Sequence, residues 1–176
     1  MGRNARTLSK SSIWRFDLLM ILILLGTQNN SFHRLIEEIE KLIQKGIIKE
    51  KVIVQAGYTK VNCKEIETLE LVSKEELEEL QNKANIVITH GGVGSIMQCI
   101  TKGKKVIAVS RLKKYKEHVN DHQKEIVEAF NEKGYIIGIT EVEELEQALK
   151  KVEIFEPKQY IRNNKKILKI IEDFIE

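Results

Sequence analysis

Short apolar runs alternate with longer amphipathic stretches from Met20 onward. Ile21 to Leu25, Val52 to Gln55, Leu69 to Val72, "NIVIT" (85–89), Val106 to Val109 and "YIIGI" (135–139) have strand length and near-continuous apolar character. Strands of that kind are covered on both faces, as in a parallel sheet. Between them, Phe32, Leu35, Ile36, Ile39, Leu42 and Ile43 follow the i, i+3, i+4, i+7 rule of a one-faced helix, which Gly46 stops.

Ser73 with Glu76 predicts a capping box opening a helix to Lys83, and Thr140 with Glu143 predicts a second. A helix from about Gly94 to Lys102 ends at Gly103, and one carrying Ile126, Val127 and Phe130 ends at Gly134. The helix with Val142, Leu145, Ala148, Leu149 and Val152 is broken by Pro157 from a terminal helix presenting Ile167, Leu168, Ile171, Phe174 and Ile175. The pattern predicts one doubly wound α/β domain over residues 20–176, a Rossmann-like parallel sheet without internal repeat or second domain.

Residues 1–19 read as a leader outside this domain. "LLMILILLG" after basic residues imitates a signal peptide, but Leu18 to Leu25 is too short to span a bilayer and no A-x-A-like cleavage site follows. Arg3, Arg6, Lys10 and Arg15 against Asp17 account for the whole net charge of +3, so the remainder balances 25 basic against 25 acidic residues (29 less 4, 26 less 1). A neutral body argues against nucleic-acid binding, which gathers Lys and Arg on one face. Cys63 and Cys99 have neither CxxC nor Cys/His ligand spacing, which suits a reducing cytoplasm.

In such a sheet the ligand crevice lies beyond the carboxyl ends of the strands, at helix N-termini that favour anions. Three turns open on that rim: "GTQNNS" after the first strand, "HGGVGS" after "NIVIT", and "SRLKKYKEHVNDHQ" after "VIAV". Gly91, Gly92 and Gly94 remove Cβ atoms that would keep a phosphate from the backbone N–H groups, and Ser95 adds a hydroxyl. A tight turn with no ligand accounts for an isolated GGxG equally well, and the turn is neither a Walker loop nor a GxGxxG fingerprint.

Together, "LILLGTQ", "VIVQAG", "ANIVITHGGVGSI", "GKKVIAVSR" and "EHVNDHQ" resemble the donor-binding lobe of the MurG-like family 28 glycosyltransferases of GT-B type. More narrowly, it is similar to the PssE/EpsF exopolysaccharide group and to the catalytic subunit of the eukaryotic dolichol-linked GlcNAc transferase. It implies that His90, Gly91, Gly92, Gly94, Ser95 and Thr27 face the diphosphate of a UDP-sugar. Gln98, Gly26 and Gln28 would border the ribose and uridine, Asp121, His122 and Gln123 the transferred sugar, and Arg111 and His118 would be loop contacts. The chain departs from the family at Lys105 and Ser110, where proline is usual.

The resemblance also implies transfer of a hexose without cofactor or metal, the backbone amides and a helix dipole stabilising the departing diphosphate. No DxD motif suggests a metal, and His118 and His122 at i, i+4 lack a third ligand. A GT-B enzyme holds its acceptor on an N-terminal lobe, which is expected here on a separate membrane-attached subunit carrying the general base and a lipid-linked acceptor. The expected place is then the cytoplasmic face of the membrane, in polysaccharide biosynthesis. "RLKKYK" (111–116) reads either as a lipid-diphosphate or membrane contact or as a solvated loop. Self-association of the isolated chain fits the same scheme. The alternatives are a non-catalytic nucleotide-binding module and an ordinary Rossmann enzyme, whose fingerprint "GTQNN" lacks.

Overall fold

The computed structural model describes residues 19–161. Six parallel strands, β1 (Met20–Leu24), β2 (Lys51–Gln55), β3 (Ile66–Leu69), β4 (Ile86–His90), β5 (Lys105–Val109) and β6 (Ile137–Ile139), lie in the order β3-β2-β1-β4-β5-β6. Five helices connect or follow them: α1 (His33–Gln44), α2 (Lys74–Lys83), α3 (Val93–Ile100), α4 (His122–Glu132) and α5 (Leu145–Ile154).

Alternation along β1 divides the interior in two. Ile21 and Ile23 join Phe32, Leu35, Ile39 and Leu42 around α1, with Leu145, Ala148 and Val152 of α5, on one face. Leu22 and Leu24 join Ile96 and Cys99 of α3, and Val127 and Phe130 of α4, on the other. A strand whose every residue is buried can lie only in the middle of a sheet covered on both faces, and β1 is such a strand. Chain order reverses beside it: β2 pairs with one edge and β4 with the other, in the register Ile23↔Ile88 and Leu24↔Thr89. The turns after β1 and β4 therefore diverge and leave a cleft between them.

Local signals set the helix ends. Ser73 Oγ accepts from Glu76 N at 3.1 Å while Glu76 Oε2 accepts from Ser73 N at 2.9 Å, the predicted capping box of α2. Gly46 takes φ +68° just past α1 and lets Ile47 N reach back to Leu42 O.

Two elements differ from the sequence prediction. The third strand is Ile66–Leu69, not Leu69–Val72, because β3 ends where β2 ends, at the pair Gln55↔Leu69. As an edge strand it buries only Ile66, so its apolar signal is weaker than that of the segment after it. The second capping box is displaced by one residue: α5 is preceded by a 3-10 turn, Val142–Glu144, and Glu144 Oε1 accepts from Glu141 N at 2.9 Å and Thr140 N at 3.3 Å. Helix α5 stops at Ile154, before Pro157. The expected leader, apart from Leu19, and the expected terminal helix lie outside the described residues.

Candidate functional site

At the carboxyl ends of β1 and β4 lies a crevice of ≈390 Å³. It is lined by Gly26, Thr27 and Gln28 from the turn after β1, by His90, Gly92, Gly94, Ser95 and Gln98 from β4 and α3, and by Gln55, Leu71, Val72 and Leu77. The fold thus gathers the residues assigned from sequence to the diphosphate and ribose, except Gly91. Its apolar wall was missed because Leu71 and Val72 read as strand. A signal was present nonetheless: Val72 and Leu77 hold the N′ and N4 positions around the Ser73 cap, the spacing of a hydrophobic staple.

The glycines of the turn do different things. A Cβ on Gly26, itself at φ +80°, would stand 2.7 Å from His90 Cε1, and one on Gly92 would collide with His90 Nε2. These two glycines make room for an imidazole. A Cβ on Gly91 would meet Gln123 Cβ and Val127 Cγ2 at 2.9 Å, so Gly91 makes room for α4. Gly94 is different: a Cβ there would meet nothing within 4 Å, and its backbone is not left-handed. It sits in the first turn of α3, where glycine costs about 0.5–1 kcal/mol relative to alanine, and nothing in the described residues requires it.

The start of α3 is built to receive an acceptor. Gly92 is the N-cap and has no side chain to offer. The N–H groups of Val93, Gly94 and Ser95, the first three of the helix, have no carbonyl four residues back within it, whereas Ile96 N already reaches Gly92 O at 3.1 Å. Those donors and the helix dipole favour negative charge on the crevice side.

His90 is held rather than mobile. Its Nδ1 lies 3.2 Å from Leu24 O, and burial, opposed by that bond and helped by the charges of Arg111 and His118, pulls its pKa down to about 4. The ring is therefore neutral near neutral pH.

The sugar-facing residues expected after β5 are arranged otherwise than the sequence suggests. Gln123 is buried, and its Oε1 accepts from both Gly91 N and Arg111 N at 3.1 Å. Two donors converging on one atom identify it as the oxygen and tie the turn after β4 to the turn after β5. Arg111, expected as a loop contact, is 1% exposed. Its Nη1 donates to Asn30 O at 2.6 Å and Glu117 O at 3.2 Å, its Nη2 to Leu25 O at 2.7 Å, and its guanidinium lies 4.8 Å from the Phe32 ring centroid. Burial pulls its pKa down, with Glu117 opposing.

Glu117, unassigned from sequence, organises this segment. It is buried, receives Arg34 through two 3.0 Å bonds, and accepts from Leu112 N at 3.0 Å. Beside it, His118 Nε2 lies 3.3 Å from Gln28 Nε2, which joins this segment to the turn after β1. Asp121 is exposed and accepts from Lys113 N at 2.8 Å; His122 is exposed, with its Nδ1 3.8 Å from Glu125. The fold brings neither into the crevice wall. Among the described residues no three His, Cys, Asp or Glu side chains cluster as a metal site.

The departures at Lys105 and Ser110 have structural reasons. Lys105 Nζ caps the end of α5 through Val152 O at 3.0 Å and Glu153 O at 2.6 Å, and Ser110 N donates to Ile139 O at 3.1 Å, a bond proline cannot make.

Comparison with known proteins yields a family match: the glycosyltransferase family 28 C-terminal domain, over residues 20–176. No curated protein sequence matches the chain. Among solved structures, the NMR structure of ALG13 is similar at a TM-score of 0.59 and 16% identity, covering 91% of this chain and 98% of that one. MurG of Acinetobacter baumannii is similar at 0.56 and 14%, covering 86% of this chain and 49% of that one. UDP-GlcNAc 2-epimerase of Methanocaldococcus jannaschii, solved with UDP-GlcNAc and UDP, is similar at 0.53 and 17%, covering 89% and 46%. The chain thus spans about half the length of the latter two. At these identities the likenesses establish the fold.

Proposed function

Because the chain belongs to glycosyltransferase family 28 and carries its C-terminal, sugar-nucleotide-binding GT-B domain, we propose that the crevice holds the diphosphate of a UDP-sugar and that the chain is the donor-binding part of a hexosyltransferase. One observation carries this reading. Gly94 has no structural partner to accommodate, yet it stands beside Ser95 at an uncapped helix start, on the wall of the crevice at the switch point of the sheet. A ligand that must approach that backbone accounts for a residue the fold itself does not need.

In this reading the N–H groups of Val93, Gly94 and Ser95, with the Ser95 hydroxyl, take the phosphate oxygens. As the bond to the sugar breaks, negative charge builds on the departing diphosphate, and donors already aimed there stabilise it without a metal or other cofactor. Gln98 and Gln28 lie on the ribose side, and the wall of Leu71, Val72 and Leu77 offers an apolar surface to the base.

The acceptor and the general base then belong to another protein. Support comes from the near end-to-end likeness to ALG13, 98% of that chain, set against 49% of MurG, and from the resemblance to a group whose companion subunit is membrane-attached. A lipid-linked acceptor on that companion, presented at the cytoplasmic face of the membrane for polysaccharide assembly, completes the proposal. In this proposal attachment runs through the companion; among the described residues no helix is long and apolar enough to cross a membrane.

Calorimetric titration with UDP, UDP-galactose, UDP-glucose and UDP-GlcNAc tests the donor site. Saturable binding of UDP, weakened about tenfold or more by Ser95→Ala, is expected. No binding of any uridine nucleotide, by the chain or by its complex with the companion, would overturn the reading.

A further inference from the structure

Leu24 O can only accept a hydrogen bond, so the 3.2 Å contact requires a proton on His90 Nδ1. In a neutral ring the other nitrogen, Nε2, then presents a lone pair. Nδ1 being turned to the strand, Nε2 is the ring nitrogen left for a ligand in the crevice that His90 lines. The ring is enclosed by Gly26 and Gly92, neither of which leaves room for a Cβ beside it. Turning it over would set a carbon against Leu24 O and forfeit the bond.

This arrangement conflicts with an anion. A lone pair on Nε2 repels a phosphate oxygen, and the other neutral tautomer would set a lone pair against Leu24 O. Only the doubly protonated ring donates to both. The titratable groups that act on His90 are Arg111 and His118, both from the segment after β5 and both opposing positive charge on the ring. The turn after β1 contributes Gly26, Thr27 and Gln28, the start of α3 Val93, Gly94 and Ser95, the α2 side Leu77, and α4 Gln123, none of which is charged. The counter-charge has to come with the ligand.

We propose that the crevice takes up its diphosphate together with one proton, which goes to Nε2 of His90. This inference rests on the diphosphate reading of the crevice. The bound imidazolium bonds Leu24 O through Nδ1 and a phosphate oxygen through Nε2, and a cation lies against the group that gains negative charge when sugar is transferred. Affinity then falls as pH rises, by up to about tenfold per pH unit between the free and bound pKa values of the ring.

The test is titration of the full chain with UDP near neutral pH, in buffers of different ionisation enthalpy, so that the buffer dependence of the heat counts protons. Uptake of about one proton per UDP is expected, with His90→Gln binding more weakly and taking up none. Imidazole 15N NMR checks the same point without a variant, the chain having 4 histidines. On UDP binding the His90 Nε2 resonance should move from the unprotonated to the protonated range while Nδ1 stays protonated. UDP binding with Nε2 still unprotonated, or with uptake unchanged in His90→Gln, overturns this inference and leaves the diphosphate reading standing. Absence of UDP binding overturns both.

Discussion

Arg34 and Glu117, 83 residues apart, meet side-on: Nε to Oε1 and Nη2 to Oε2 are both 3.0 Å. The Arg34 and Glu117 side chains are 13% and 4% exposed, so the pair is a buried fork from α1 into the segment between β5 and α4. The same guanidinium also reaches Ser110 O at 3.0 Å and Thr140 O at 3.3 Å. One residue thus pins two connections on the ligand side of the sheet, β5 to α4 and β6 to α5.

Removing Arg34 leaves the buried Glu117 carboxylate without its cation, at a cost of about 3–5 kcal/mol. Arg34→Ala should therefore lower the unfolding free energy from urea denaturation by that much, and Glu117→Ala by less, because Arg34 keeps Glu141 Oε2 at 3.5 Å; the double variant should cost less than the two singles summed. Additive losses in the cycle would show that the fork contributes no coupling.

Gly94→Ala should separate stability from binding. The new methyl meets nothing and replaces glycine within a helix, so unfolding should become harder by about 0.5–1 kcal/mol. UDP affinity should fall, because the methyl occupies the approach to the α3 N–H groups. Gly26→Ala and Gly92→Ala should instead destabilise, by roughly 1–3 kcal/mol, through the His90 ring. Denaturation and calorimetry on the three variants decide the matter.

Gln123→Ala should destabilise by about 1–3 kcal/mol for each of the two buried N–H groups left without an acceptor. The readout is chemical denaturation, with amide exchange at Gly91 and Arg111 as the local probe. Faster exchange at both together would show one side chain locking two turns; unchanged exchange would exclude it.

Acid should weaken the fold through His90. Its folded pKa, about 4, lies below the 6.5 of an unperturbed imidazole, so the unfolded chain binds the proton first. Stability associated with this group is complete above about 6.5, declines as pH falls, and is lost by about 4, a span of roughly 3 kcal/mol. His90→Gln should flatten that part of the stability profile measured by urea at successive pH values, while the carboxylate contributions remain.

The layered α/β architecture follows from the order of residues alone, because apolar runs of strand length and one-sided helices leave a parallel sheet as the arrangement that buries both. So does the rim on which the glycine turn opens, since strand and helix order fixes which connections share an end. Local chemistry was legible where it acts over a few residues, as at Ser73 with Glu76 and at Gly46. What Gly26 and Gly92 accommodate, and why Gly94 differs from them, emerges only on folding: the Cβ collisions depend on where the His90 ring comes to rest. The same holds for Gln123 and Arg111, polar residues of a loop in sequence, which become buried because Gly91 N–H, Leu25 O and Asn30 O converge on them from distant elements. Periodicity records which face a residue occupies; it carries no record of which unpaired backbone groups the fold will bring to meet it.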